Sequence, residues 1–100
     1  MMSKAVWNFS FKLRKGVSQE DFIEATRKLH DEIISKAKGF ISWEQYLQGD
    51  TWTDLVFWET LEDANAGATV AEGSELSKNF YAMIQMNTCK ALISTFVIKY

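Results

Sequence analysis

Two strand-like runs meet near the middle of the chain, with only Gly49 and Asp50 between them. Phe40 to Gln48 leads into that pair, and Thr51 to Glu59 leaves it. The second run is rich in Trp, Thr, Leu, Val and Phe, which suit a pleated, half-buried surface. A two-residue connection of this kind joins strands as a hairpin, so the centre of the fold is antiparallel. The chain contains no proline. The remaining turns therefore fall to Gly, Asn, Asp and Ser.

The rest of the pattern builds outward from the hairpin. Residues Ala5 to Leu13 place Trp7, Phe9, Phe11 and Leu13 in alternation with Val6, Asn8, Ser10 and Lys12, which predicts a strand ending before Gly16. Ser18 is a helix N-cap with Asp21 as its partner, and Phe22, Ala25, Leu29, Ile33 and Ala37 form the apolar stripe. Lys36 and Lys38 occupy the last turn, and Gly39 stands at C′. Beyond the hairpin, Thr60 caps a second helical region with Asp63. Gly67 and Gly73 weaken it, so it reads as two pieces, Leu61–Ala71 and Ser74–Met86. Asn87-Thr88 reads as a turn and Cys89 to Lys99 as the last strand. The order βαββαβ predicts a ferredoxin-like α+β fold, a four-stranded antiparallel sheet with its helices on one face.

Composition narrows the class. A chain of 100 residues is one domain, 1–100. With 47% hydrophobic and 24% charged residues it is not a disordered tail. This topology also builds RNA readers, and Trp7, Phe9 and Phe11 resemble a stacking platform. A net charge of −2 and the missing basic signature exclude nucleic acid as a partner. No apolar run is long enough for a membrane span, and the start Met1-Met2-Ser3-Lys4-Ala5-Val6 reaches Asn8 and Ser10 too soon for a signal-peptide core. Cys89 is the one cysteine, so no intrachain disulfide forms, which fits a reducing cytoplasm. Aromatics make up 14% of the chain, more than so small an interior hides. A second buried surface is expected, a homodimer interface, a ligand pocket, or both. In the last strand Leu92, Phe96 and Ile98 alternate with Ala91, Ile93 and Val97, so both faces call for burial. Two sheets packed face to face, at roughly 800 Å² per partner, would supply it.

Three segments carry a family resemblance. They are Val6-Trp7-Asn8-Phe9, Lys38-Gly39-Phe40-Ile41, and the run Leu55-Val56-Phe57-Trp58-Glu59-Thr60-Leu61-Glu62-Asp63-Ala64. From Val6 to Tyr100 the chain resembles the antibiotic-biosynthesis-monooxygenase-like family of dimeric α+β barrels. That resemblance implies oxidation of polycyclic aromatics without a cofactor, or oxidative haem breakdown. Both types use an Asn on the first strand and a Trp on the third, and Asn8 and Trp58 match those positions. The haem-degrading type also needs an axial His on the second helical region, and there is no His between Leu61 and Met86. The expectation is a homodimeric, cofactor-independent monooxygenase for a small aromatic or quinone-like compound. The alternative is a non-catalytic dimer that binds a small hydrophobic ligand in the same pocket.

Candidate site residues follow from their chemistry. The Asn8 amide can hold a phenol, quinone or peroxide oxygen, or simply satisfy neighbouring backbone. Trp58 offers a flat apolar wall with an N–H handle, in a pocket or in the core. His30, the only histidine, flanks the first helix stripe as a potential proton carrier, and a lone His gives no metal cluster. Tyr81 can donate to a substrate oxygen, and Met83 fills gaps in pocket or core. Trp7, Trp43 and Trp52 read as packing, and Cys89 as a small buried strand residue.

Overall fold

The computed structural model describes residues 4–100. Met1, Met2 and Ser3, which open the segment read above for a leader, lie outside the described residues. The elements are β1 (Ala5–Leu13), α1 (Gln19–Glu32), a 3₁₀ turn (Ile34–Lys36), β2 (Phe40–Gln48), β3 (Thr51–Trp58), α2 (Leu61–Val70), α3 (Glu75–Ala82) and β4 (Ile84–Thr95). The strands pair antiparallel in the order β2-β3-β1-β4. This is the ferredoxin-like α+β arrangement expected from the sequence.

Each helix starts where a hydroxyl can turn back on the first turn. Ser18, Thr60 and Ser74 accept hydrogen bonds from the backbone N–H of Asp21, Asp63 and Ser77, each at 3.0 Å. The first helix stops earlier than its stripe suggests. The Ile33 N–H still bonds the Leu29 carbonyl at 3.2 Å, but Ile33 itself leaves helical geometry. A 3₁₀ turn then buries Ile34 and delivers the chain to Gly39. Gly39 has φ +81°, and a Cβ there would overlap the Asp63 carboxyl of α2. Gly39→Ala therefore combines a left-handed penalty with a steric clash, and is expected to cost about 2 kcal/mol or more in urea unfolding. An unchanged midpoint would contradict this packing.

The last strand differs most from the sequence reading. α3 does not run to Met86; it ends at Ala82, with Met83 as its cap. The Met83 carbonyl is taken by the Arg14 N–H at 2.9 Å, which pulls the chain into the sheet at Ile84. Asn87-Thr88, read as a turn, lies inside β4 where its register against β1 shifts between Ser10 and Lys12. There the Thr88 hydroxyl accepts from the Lys12 N–H at 2.9 Å and donates to the Gln85 carbonyl at 2.6 Å, standing in for a ladder bond. The strand ends at Thr95 rather than Lys99.

Alternation gives the sheet two unlike faces. Ala5, Trp7, Phe9 and Phe11 of β1, with Trp52, Asp54, Val56 and Trp58 of β3, face the helices. Phe22 of α1 locks this layer, with ring centroids 5.5 Å from Phe11, 4.9 Å from Trp52 and 5.1 Å from Phe80. α2 comes closest at Gly67, where a Cβ would fall inside the Trp58 indole. The other face carries Val6, Asn8 and Ser10 beside Leu55, Phe57 and Leu92. Burial of β4 on both faces is not met within one chain, since Leu92 is 57% exposed and Ile93 40%. No helix of the described residues is long and apolar enough to cross a membrane.

Candidate active site

Two recesses that share part of their walls lie along the helix-facing side of the sheet and are treated together as one cleft, the outer one also bordered by Asn8 and Leu92. The inner part is a cavity of about 110 Å³ reaching Trp43, Val56 and Phe80. The outer part, about 560 Å³, opens toward Cys89, Ala91 and Ile93 of β4. Trp7, Phe9, Ala68 and Tyr81 line both. Strand alternation supplies Trp7 and Phe9, α2 supplies Ala68, and α3 supplies Tyr81. The Trp7 indole is fixed by donating to the Ala64 carbonyl at 3.0 Å. Its ring leans on Trp58, with centroids 4.9 Å apart. The result is a mostly apolar, aromatic-walled recess with few polar groups, the usual make-up of a small-molecule site.

The sequence-derived candidates spread over the molecule. Tyr81 borders both parts of the cleft. Burial pushes its phenol above the ordinary value, and Cys89 and Asp54 add to the rise. Trp58 stands behind the cleft wall. It is 0% exposed, packed by Trp7, Phe40 and Gly67, and its indole N–H has no hydrogen-bond partner. Asn8 borders the outer part from its strand. It pairs with Leu55 and Leu92, however, and so shares the uncovered face with them. Asn8 and Trp58 thus lie on opposite sides of the sheet. His30 sits outside this cleft, on the flank of α1 that meets β2, in a shallow groove with Ile23, Thr26, Trp43 and Gln45. Its Nδ1 lies 2.7 Å from the Asp31 carboxylate and its ring rests edge-on to Phe40. Hydrogen bonding from His30, followed by that from Arg27, holds the Asp31 carboxyl below its usual value. Met83 lines a separate groove between α1 and α3 with Asp21, Lys28 and Leu76.

Sequence reasoning missed the group with the most unusual environment. Asp54 sits mid-strand on the helix-facing side, 0% exposed. Trp43 Nε1 donates to its Oδ2 at 3.0 Å and Gln45 Nε2 at 3.2 Å. Oδ1 has no partner. Burial raises the carboxyl from 3.8 to about 6, against the lowering by these two hydrogen bonds. The available signal was parity, because Asp54 interrupts an otherwise apolar run of alternate positions, Trp52, Val56 and Trp58. Among the described residues no three His, Cys, Asp or Glu side chains gather where they could hold a metal ion.

Solved structures share this architecture along nearly the whole chain. SnoaB, a cofactor-independent oxygenase from Streptomyces nogalater, superposes with a TM-score of 0.78 over 97% of this chain and 96% of its own, at 8% identity. The monooxygenase of the ActVA-Orf6 gene of Streptomyces coelicolor, in complex with nanaomycin D, gives 0.74 over 98% and 91%, at 18% identity. A Nitrosomonas europaea protein provisionally named antibiotic biosynthesis monooxygenase gives 0.75 over 97% and 93%, at 16% identity. The fold is that of the antibiotic biosynthesis monooxygenases. At these identities the likeness is one of fold, and function must come from the site. No family model matches the sequence, and no curated protein matches it closely. Within the antibiotic-monooxygenase fold, this chain sets a buried carboxyl and an aromatic cleft side by side on the helix-facing layer.

Proposed function

We propose that the chain is a cofactor-independent monooxygenase for a small aromatic or quinone-like compound, bound between the sheet and α2–α3. The observation that carries this reading is the cleft walled by Trp7, Phe9 and Tyr81. Fold likeness to oxygenases, one of them in complex with nanaomycin D, supports it. An electron-rich aromatic with an activated ring carbon can itself reduce dioxygen. A ring CH₂ loses two C–H bonds and gains C=O, and four electrons pass to O₂. One oxygen atom stays on carbon and the other leaves as water with both hydrogens. The protein's task is then to desolvate the ring, hold it flat and accept a proton. Tyr81 contacts the ring in this reading and Trp58 stiffens the wall behind it. The chain pairs as a homodimer through its uncovered sheet face, and the lone Cys89 fits a reducing, cytoplasmic setting.

The separation of Asn8, Trp58 and His30 favours a second reading, a non-catalytic binder using the same cleft. An anthrone under labelled dioxygen separates the two. Protein-dependent uptake with one labelled oxygen per product supports the oxygenase. Binding without uptake supports the binder. Ala68→Trp fills the shared part of the cleft from an exposed helix position, so ligand affinity is expected to fall at least about tenfold while stability moves by less than about 0.5 kcal/mol. Unchanged affinity would place the ligand elsewhere.

A further inference from the structure

We propose that Asp54 accepts a hydrogen bond, and then the proton, from a hydroxyl on the ligand in the cleft, with Trp43 and Gln45 as its positioning residues. This rests on the cleft being the ligand site. The geometry starts from one carboxylate with unequal oxygens. Oδ2 is occupied by the Trp43 and Gln45 donors, and Oδ1 is buried with none. The Gln45 amide cannot swing away, because the same nitrogen lies 3.1 Å from the Thr26 hydroxyl. That hydroxyl in turn donates to the Phe22 carbonyl at 2.9 Å. A buried acceptor left empty while its twin is doubly held is costly, and a ligand hydroxyl would remove that cost.

Asp54 itself lines neither part of the cleft and stands directly behind the wall of the inner cavity, whose lining a ligand hydroxyl must part to reach Oδ1. Asp54 lies directly across from Phe9 in the β1 ladder, and Val56 is the next residue of β3 on the same face. Phe9, Val56 and Trp43 all line the inner cavity. The carboxylate is close enough to raise both Tyr81 and Cys89, which border the outer part. In the step itself the ligand O–H bond breaks and an H–Oδ1 bond forms. Asp54 becomes neutral and the ligand keeps the electron pair as an aryloxide. A neutral ring that carries no donor gains nothing at Oδ1, so the carboxyl also selects among ligands.

The test uses the full chain and two probes, 2-naphthol and 2-methoxynaphthalene, titrated calorimetrically from pH 5 to 7.5. Both probes stay neutral there, since phenols ionise near 10. The titratable groups facing Asp54 are Tyr81 from α3 and Cys89 from β4, both raised above ordinary values that already lie above this range. Glu72 lines the inner cavity, and His30 shares a groove with Gln45. Both remain in the Asp54→Asn variant, which isolates the carboxyl. The expected result is a preference of about tenfold for 2-naphthol at pH 7.5, the size of one charge-assisted hydrogen bond, shrinking toward pH 5. Asp54→Asn should abolish the preference and keep affinity for the ether. Gln45→Leu should keep the preference but move its midpoint to higher pH, because it removes a donor that lowers the carboxyl. A preference that survives Asp54→Asn, or is absent from the parent, overturns the assignment. The cleft reading then still stands if the ether binds and Ala68→Trp weakens it. Failure of both probes to bind overturns both readings.

Discussion

Asp54→Asn and the parent chain are expected to draw apart in stability as pH rises from 4 to 8, by about 3 kcal/mol. The sign follows from the buried carboxyl. Its native value is about 6 against 3.8 for the ordinary group, so the folded state holds the proton more tightly than the unfolded state. That contribution is fully present below pH 3.8 and is lost as pH climbs through about 6. The amide cannot ionise and loses nothing. Its own NH₂ would sit unpaired where Oδ1 now lies, a constant cost that offsets part of the gain at high pH. The difference between the two pH profiles is therefore the quantity to read. Urea unfolding at several pH values measures it, and parallel curves would refute an ionised, buried Asp54. A carboxyl retained at such a cost fits a group kept for function at the expense of stability.

Trp58→Ala is the most damaging truncation expected in the chain. The indole is wholly buried and fills the space between Trp7, Phe40 and Gly67. Removing it should cost about 3–5 kcal/mol, a large share of the stability of a domain this size. Trp58→Phe should cost less than half as much. It keeps a ring against the glycine and gives up an N–H that has no partner. Equal losses from the two variants would mean that the indole nitrogen contributes something the packing does not explain. Thermal unfolding suffices to rank them, since each kcal/mol moves the midpoint by about 4–8 °C.

The sequence was most informative where the chemistry is local. The caps at Ser18 and Thr60 and the Gly49-Asp50 hairpin depend on neighbours a few residues away, and the structure has all of them. The helical break around Gly73 is local too, since Ser74 opens a fresh helix there. The end of α3 depends on the distant Arg14 N–H, and the shift in β4 on Thr88 reaching Lys12. No local pattern contains those contacts. The candidate site depends on contacts of the same distant kind. Placing Asn8 beside Trp58 requires knowing the β1–β3 register, in which Asn8 meets Leu55 and Trp58 meets Ala5. Register is a long-range property, and a one-residue difference reverses every side chain. Tyr81 needed only the helix to be right, and it does line the cleft. Asp54 was visible as a charge in an apolar parity, but its lack of a partner at Oδ1 was not.

The two unlike sheet faces also separate what this protein can vary. In β1, positions 7, 9 and 11 shape the helix-facing layer, whereas positions 6, 8 and 10 shape the uncovered one. Adjacent codons thus belong to different traits. A library randomised at Val6 and Ser10 would redraw the outer surface and leave the aromatic wall of Trp7 and Phe9 in place. One randomised at the odd positions would do the reverse. Selection can therefore tune contact with other molecules and the shape of the cleft along a single strand, the two meeting at Asn8, which borders the outer part of the cleft.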